Sequence, residues 1–428
     1  MGVVSCGTTM LDQGVFENIG AVTWDTTVKT SGFTAVSGNG YFCNTTSAAF
    51  TVTLPASPSA GDIIGIKDYA NTADTNNITI GRNGSNIQGI ADDFKILIEG
   101  GSVLLVYIDG TQGWKVTSSA QANDILTPLF VTATGGTITT SGDYKIHTFT
   151  SPSTFCVSNG GNPVGSNTLD YLVIAGGGGG GAKRGGGGGA GGFRESVPSP
   201  AAWTASPLAN PGGSLPVSVQ GYPITVGAGG AGQTGTSADS TSGANSVFST
   251  ITSTGGGRGN QYNPSPSPST LNGQPGGSGG GSGRGENPHA SGVGGNGNTP
   301  SVSPPQGFDG GATPNSVPLG GGGGGGATAV GETRTPSTDG TDGGAGGTSS
   351  ISGSSVTRGG GGAGGTYNYP GPAGGTGGSG GGGPSSPSSP GTNGTANTGG
   401  GGGGGFDSPS STGGTGGSGV VIIRYKFQ

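Results

Sequence analysis

The stretch Asp170-Tyr171-Leu172-Val173-Ile174-Ala175 runs without a break into six glycines, Gly176–Gly181, and near the other end of the sequence Gly419 runs into Val420-Val421-Ile422-Ile423-Arg424-Tyr425. Each is a short apolar run rich in β-branched residues and bounded by glycine, which reads as a buried strand. Two such strands bracket a glycine-rich body. Their simplest use is to pair with each other and close it, with Tyr171, Val173, Val421 and Ile423 as the structural residues of that closure.

Of the 106 glycines in 428 residues, 22 lie in residues 1–170 and therefore 84 in the 258 residues from Tyr171 onward. That step in composition is the main boundary of the chain. Only 28% of residues are hydrophobic and 8% charged. An enzyme-like core spread over the whole length is excluded, because burial would not offset the ordering entropy of so many glycines. The glycine runs fall at 176–181, 185–189, 320–326, 359–362 and 399–405. Collagen is out, since Gly320–Gly326 breaks its strict three-residue repeat. A flexible Gly/Ser linker is the plain alternative. Against it stand the closing strands and two further apolar elements, Tyr222–Val226 and Val247–Ile251.

The remaining option is a lattice of polyglycine helices in polyproline-II geometry, with three residues per turn and about 3.1 Å rise, so that seven glycines span about 22 Å. Such helices make no internal hydrogen bonds. Without side chains they approach closely enough for each N–H to reach a neighbour's carbonyl, which meets the backbone's hydrogen-bonding needs between helices. Gly323, in the middle of a run, is then a structural position where any Cβ would wedge the neighbours apart.

Ahead of that body the pattern is β. Phe50, Val52 and Leu54 alternate with Thr51 and Thr53, and Pro55 closes the strand. Ile64 and Ile66, then Ile78 and Ile80, precede a hairpin-type turn at Arg82-Asn83-Gly84. Further turns at Gly100-Gly101 and Asp109-Gly110 separate Phe94–Ile98, Val103–Tyr107 and Trp114–Val116. The fold class is therefore all-β: small antiparallel β modules followed by packed polyglycine helices and closed by terminal strands, with no α-helix. The divisions are an N-terminal segment at 1–41, a sandwich-like module at 42–120, a second short β region at 121–175, the glycine-rich body at 176–419 and a closing strand at 420–428.

Several function classes lack their residues. Net charge is −6 and no Lys/Arg cluster exceeds Lys183-Arg184, so nucleic-acid binding has no electrostatic footprint. No run of 18 apolar residues offers a membrane span, and Met1–Cys6 lacks the charged start and long apolar stretch of a signal peptide. Cys6, Cys43 and Cys156 have neither disulfide-framework nor zinc spacing. Gly276–Gly280 and Gly377–Gly381 satisfy the nucleophile-elbow pattern around Ser278 and Ser379, but no helix follows and the chain holds only His147 and His289. Asp92-Asp93 reads as a solvated turn rather than half of a glycosidase pair. Asp339-Gly-Thr-Asp342 offers oxygen ligands without the full calcium-loop pattern. The sequence assigns no catalytic residue, no cofactor and no metal.

The isolated aromatics of the glycine body are Trp203, Tyr262, Phe308, Tyr367, Tyr369 and Phe406. They either cap the lattice ends in small clusters or contact glycans and protein partners. As a set they are the receptor-binding candidates. The Tyr367-Asn-Tyr369-Pro-Gly-Pro loop stands first, because flanking prolines limit the entropy lost on binding.

Phe50–Pro55, Gly61–Tyr69, Arg82-Asn83-Gly84 and Gly113-Trp114-Lys115 together resemble a β module repeated in tail-fibre-like proteins of marine cyanobacterial phages. Gly142–Thr150, Tyr171–Gly179 and Gly419–Phe427 resemble the glycine-rich module of the same proteins, which is similar to the polyglycine-helix adhesins at the tail-fibre tips of T-even-type phages. The resemblance implies a virion protein, made in the bacterial host cytoplasm. It would attach to other tail or capsid proteins through residues 1–41 and recognise a host surface glycan or outer-membrane protein. It implies a homotrimer, no enzyme activity and no membrane insertion. The T-even adhesins lack a β module of this kind before their glycine body. A non-receptor structural or capsid decoration fibre is the alternative.

Overall fold

The computed structural model describes residues 4–5, 8–9, 22–120, 129–163, 165–235, 239–261, 271–284, 291–314, 320–335, 340–367, 373–408 and 411–428. The described residues are all-β, without a helix. The chain forms two compact units, Met1–Thr127 and Pro128–Gln428.

In the first unit, Thr23–Lys29, Asn39–Cys43 and Ile63–Asp68 go to one sheet, and Phe33–Thr34, Phe50–Thr53 and Ile78–Gly81, which alternate with them along the chain, go to a second. Within each sheet these successive strands pair parallel. Only the last passes turn back: Phe94–Ile96 pairs antiparallel with Ile78–Gly81, and Ser102–Asp109 lies antiparallel between Ile63–Asp68 and Gly113–Ala120. The expected antiparallel module is thus corrected to a mixed, coiled one. Period-two alternation is the same for both senses. The sense is set by the connection, and here the crossover that a parallel pair needs is a strand of the facing sheet. The inward side chains, among them Val52, Leu54, Ile64, Ile66, Ile80 and Trp114, form one core.

The module also starts earlier than residue 42, because Thr23–Lys29 and Asn39–Cys43 belong to its first sheet. Its first strand was hard to read because the register slips between Asp25 and Lys29, which breaks the alternation. Residues 10–21 of the expected attachment segment lie outside the described residues.

In the second unit the expected closure is present. Val420–Lys426 lies antiparallel between Tyr144–Phe149 and Thr168–Ile174, with Tyr171 opposite Ile423 and Val173 opposite Val421. All four of these side chains are buried in a core they share with Phe149, Phe155, Phe248 and Tyr425. Val420, Ile422, Leu172 and Ile174 point the other way, into a second core with Phe193 and Ile351. Gly221–Thr225 and Ser246–Phe248, foreshadowed by the two apolar elements, pair in a neighbouring five-stranded sheet. Residues 128–175 and the closing strand thus form one compact unit with the glycine body.

His147 is fully buried in this closure, with Nδ1 2.8 Å from the Gly135 carbonyl and Nε2 3.0 Å from the Tyr425 hydroxyl. Burial holds its pKa below the ordinary 6.5; the Gly135 contact opposes this and the Lys145 charge adds to it. The unfolded chain therefore takes up a proton at higher pH than the folded one. His147 favours folding above about pH 6.5, and this contribution falls away as pH drops through that value toward the depressed folded pKa. The wild-type melting temperature is expected to drop between pH 7 and 5, with a shallower drop in His147→Gln. Equal slopes for the two proteins would assign the acid sensitivity elsewhere.

The glycine segments beyond the strands are held chiefly by backbone bonds, in a three-residue repeat. The N–H groups of Gly176 and Gly179 donate to Ala244 and Thr241, those of Gly177 and Gly180 to Gly417 and Gly414, and those of Gly178 and Gly181 to Gly189 and Gly186. The carbonyls accept in the same rhythm: 177 and 180 from Gly230 and Gln233, 176 and 179 from Gly256 and Gly259, 178 and 181 from Gly402 and Gly405. Residues i and i+3 address the same neighbour, as three residues per turn require. The run 176–181 therefore has six neighbours, antiparallel where it donates and parallel where it accepts. The run 185–191 also has six neighbours, donating to 257–260, 322–325 and 399–402 and accepting from 178–181, 278–281 and 362–365; of these only 322–325 runs parallel to it.

At the perimeter the sequence changes with the same period. Ala228, Ala231 and Thr234 are exposed while Gly227, Gly230 and Gln233 are buried; Ala373, Thr376 and Ser379 are exposed while Gly375 and Gly378 are buried. An uninterrupted glycine run marks a helix covered on every face. A side chain at every third position marks the face that meets water.

Candidate recognition surface

Because each helix is straight and its neighbours run both ways, the connecting segments gather at the two ends of the lattice. At one end most are built into strands and hairpins, Phe193–Val197, Ser246–Phe248 with Ile251–Ser253, and Gly347–Ser349 with Val356–Arg358, and the loop 297–306 lies beside them. At the other end the chain leaves the lattice after Gly181, Gln233, Gln261, Arg284, Pro314, Thr335, Tyr367, Ser385 and Phe406.

The aromatic candidates divide between these ends. Trp203 and Phe308 lie at the strand end, half-buried against the Leu172–Ile422 core. The Arg424 guanidinium stacks on Trp203 at 4.4 Å and on Tyr144 at 4.6 Å, and donates to the Ser350 and Ile351 carbonyls. These two aromatics pack the lattice onto its strands. Tyr367 and Phe406 lie at the opposite end. Tyr262 and Tyr369 fall outside the described residues.

At that opposite end three distant connectors meet. The Arg184 guanidinium lies 4.2 Å from the Tyr367 ring centre and its Nη2 is 2.6 Å from Asp407 Oδ2. Its backbone N–H donates to the Gly405 carbonyl at 2.8 Å, which fixes the turn to the neighbouring helix. Next to it, the Ala182 N–H donates to Gln233 Oε1 at 2.9 Å, and the Gln233 amide reaches the Gln261 side chain. A charge-assisted pair, a stacked ring and a row of amides thus share one face. Sequence reading found Tyr367 and Phe406 but passed over Arg184, Asp407 and Gln233. The available signal was Ala182-Lys183-Arg184 itself, three residues between six glycines and five.

Ser278 is buried and its hydroxyl donates to the Gly326 carbonyl, while Ser379 is exposed on the perimeter. His289 and Asp339 lie outside the described residues. Asp342 Oδ1 accepts from the Thr376 N–H at 2.7 Å, and Asp93 Oδ1 accepts from the Arg82 N–H at 2.9 Å. No cluster of His, Cys, Asp and Glu suited to a metal ion occurs among the described residues.

No curated protein matches the chain. Residues 150–426, which span the closing strands and the whole lattice between them, match the glycine-rich domain family, and the chain belongs to that family.

Proposed function

We propose that this is a phage virion fibre protein whose glycine-rich unit recognises the host cell surface through the connectors at the end of the lattice away from the closing strands. The observation that carries the reading is the asymmetry of the two ends. One carries the strands and hairpins together with the loop 297–306, and the other brings Tyr367, Phe406 and the Arg184–Asp407 pair together on a backbone-bonded base. Rigid scaffolds carrying variable loops are the usual platform for recognition, because the base stays folded while the loops change. The resemblance to marine phage fibre modules supplies the context, including attachment to other virion proteins and a homotrimeric state.

Labelled full-length protein is expected to adsorb to intact cyanobacterial cells of a susceptible strain, and antibodies are expected to decorate the tail of the particle. Absence of adsorption with labelling confined to the capsid would favour a decoration fibre instead. Light scattering should give three times the chain mass; a monomer would remove the trimer from the proposal.

A further inference from the structure

The turn between the two enclosed glycine runs is built from residues poorly suited to its backbone. Lys183 and Arg184 both adopt left-handed φ, 45° and 59°. Side chains with a Cβ are strained there, and glycine is not. The other non-glycine residues with positive φ among those described are Asn71, Asn83, Gln88, Ser249, Asn298 and Asn397. Most are asparagine, which tolerates this region, none is charged and no two are adjacent. In a body about one-third glycine, with glycines on both sides of the turn, charged residues stand where glycine would fit without strain.

For Arg184 the compensation is visible in the Asp407 ion pair, the Tyr367 stack and the Gly405 bond. For Lys183 it is not. The side chain is half-buried, and no hydrogen-bond or ion-pair partner for it occurs among the described residues. Strain held at a site without internal compensation points to a partner outside the chain. Asp407 already neutralises Arg184, so Lys183 adds an unmatched positive charge to a protein of net charge −6. Attraction for anions is therefore local to this turn rather than a property of the whole surface.

We propose that Lys183 binds the anionic group of an acidic cell-surface polysaccharide, a sulfate ester or a uronate carboxylate. This rests on the recognition role proposed above and names the class of its ligand. The ammonium takes the charge. The Arg184–Asp407 pair offers both donors and acceptors to neighbouring hydroxyls, and the half-buried Gln261 amide, held by the fully buried Gln233, adds a further polar group. A row of mixed donors and acceptors suits a polyhydroxylated ligand better than a uniformly charged one.

The test measures binding of the full-length protein to immobilised dextran sulfate, polygalacturonate, neutral dextran and single-stranded DNA. Lys183→Gly, Lys183→Met and Lys183→Arg are run beside the wild type. The wild type is expected to bind one acidic polysaccharide at least tenfold more tightly than dextran or DNA, and which polymer binds separates sulfate from carboxylate. Lys183→Gly should lose at least tenfold in affinity while its melting temperature stays level or rises, since glycine relieves the turn. Lys183→Met should lose affinity with the strain retained, and Lys183→Arg should keep most of it. Unchanged affinity in both Lys183→Gly and Lys183→Met overturns the site, as does wild-type binding to DNA equal to that for polysaccharide, or binding to no acidic polymer. Adsorption to cells separates the two proposals. If wild type and Lys183→Gly adsorb equally, the site fails and the recognition role stands. If Lys183-dependent polysaccharide binding occurs without any adsorption to cells, the site stands and the adhesin role fails.

Discussion

Gly323→Val is expected to unfold the glycine lattice, whereas Thr376→Val, in the same body, leaves it intact. A Cβ at Gly323 would come within 3.0 Å of the Asp342 carbonyl oxygen, a closeness real Cβ atoms essentially never show, and the atom it meets is backbone with no side chain to swing away. The backbone around it is fully engaged: the Gly323 N–H donates to Glu332, its carbonyl accepts from Gly311, and the Asp342 carbonyl accepts from Glu332. Separating the helices leaves these groups unpaired at about 1–3 kcal/mol each. The loss is therefore roughly 5 kcal/mol, against a total of about 5–15 kcal/mol for a typical domain. Thr376 faces water and already carries a Cβ. Limited proteolysis and thermal melts of the two variants check this; equal tolerance of both changes would mean that the glycine segments are not packed.

Ile423→Asp is expected to be at least as damaging, by a different route. Ile423 is fully buried, lies opposite both His147 and Tyr171, and belongs to the strand that joins the two halves of its sheet. Removing such a side chain costs about 2–5 kcal/mol, and an unpaired carboxylate in its place adds the larger penalty of a desolvated charge. The neighbouring His147 imidazole is already bonded to the Tyr425 hydroxyl and the Gly135 carbonyl. Ile423→Ala should fall between wild type and Ile423→Asp in melting temperature. A cooperative, near-wild-type transition in Ile423→Asp would show that the strand does not hold the lattice closed.

The parts of this fold legible in the sequence are those governed by local period. Alternation in Phe50–Thr53 and the unbroken apolar runs at 170–175 and 420–425 report burial on one face or on two, and their pairing follows from the need to cover both. Glycine-run length was informative for the same reason, since interruptions at every third position, as at Ala228, Ala231 and Thr234, mark a face that meets water. Strand sense was not legible. Asn83 and Gly84 do turn the chain with positive φ, but the segment they release does not pair back directly; the next partner is Phe94–Ile96. At the proposed recognition surface the residue types of Tyr367 and Phe406 were readable, but which end they occupy depends on how many helices precede them. Arg184 and Asp407 come together across 223 positions of sequence, through a lattice whose register no local pattern encodes.

The most direct measurement is amide hydrogen exchange, resolved by residue, across the glycine-rich unit under native conditions. If the runs 176–181 and 186–191 are each enclosed by six hydrogen-bonded neighbours, their amides exchange only with global unfolding of the unit, and do so together, while amides in the exposed connectors exchange rapidly. Exchange of these glycines at the rate of an unstructured chain, with protection confined to strands such as Thr168–Ile174 and Val420–Lys426, would contradict the lattice.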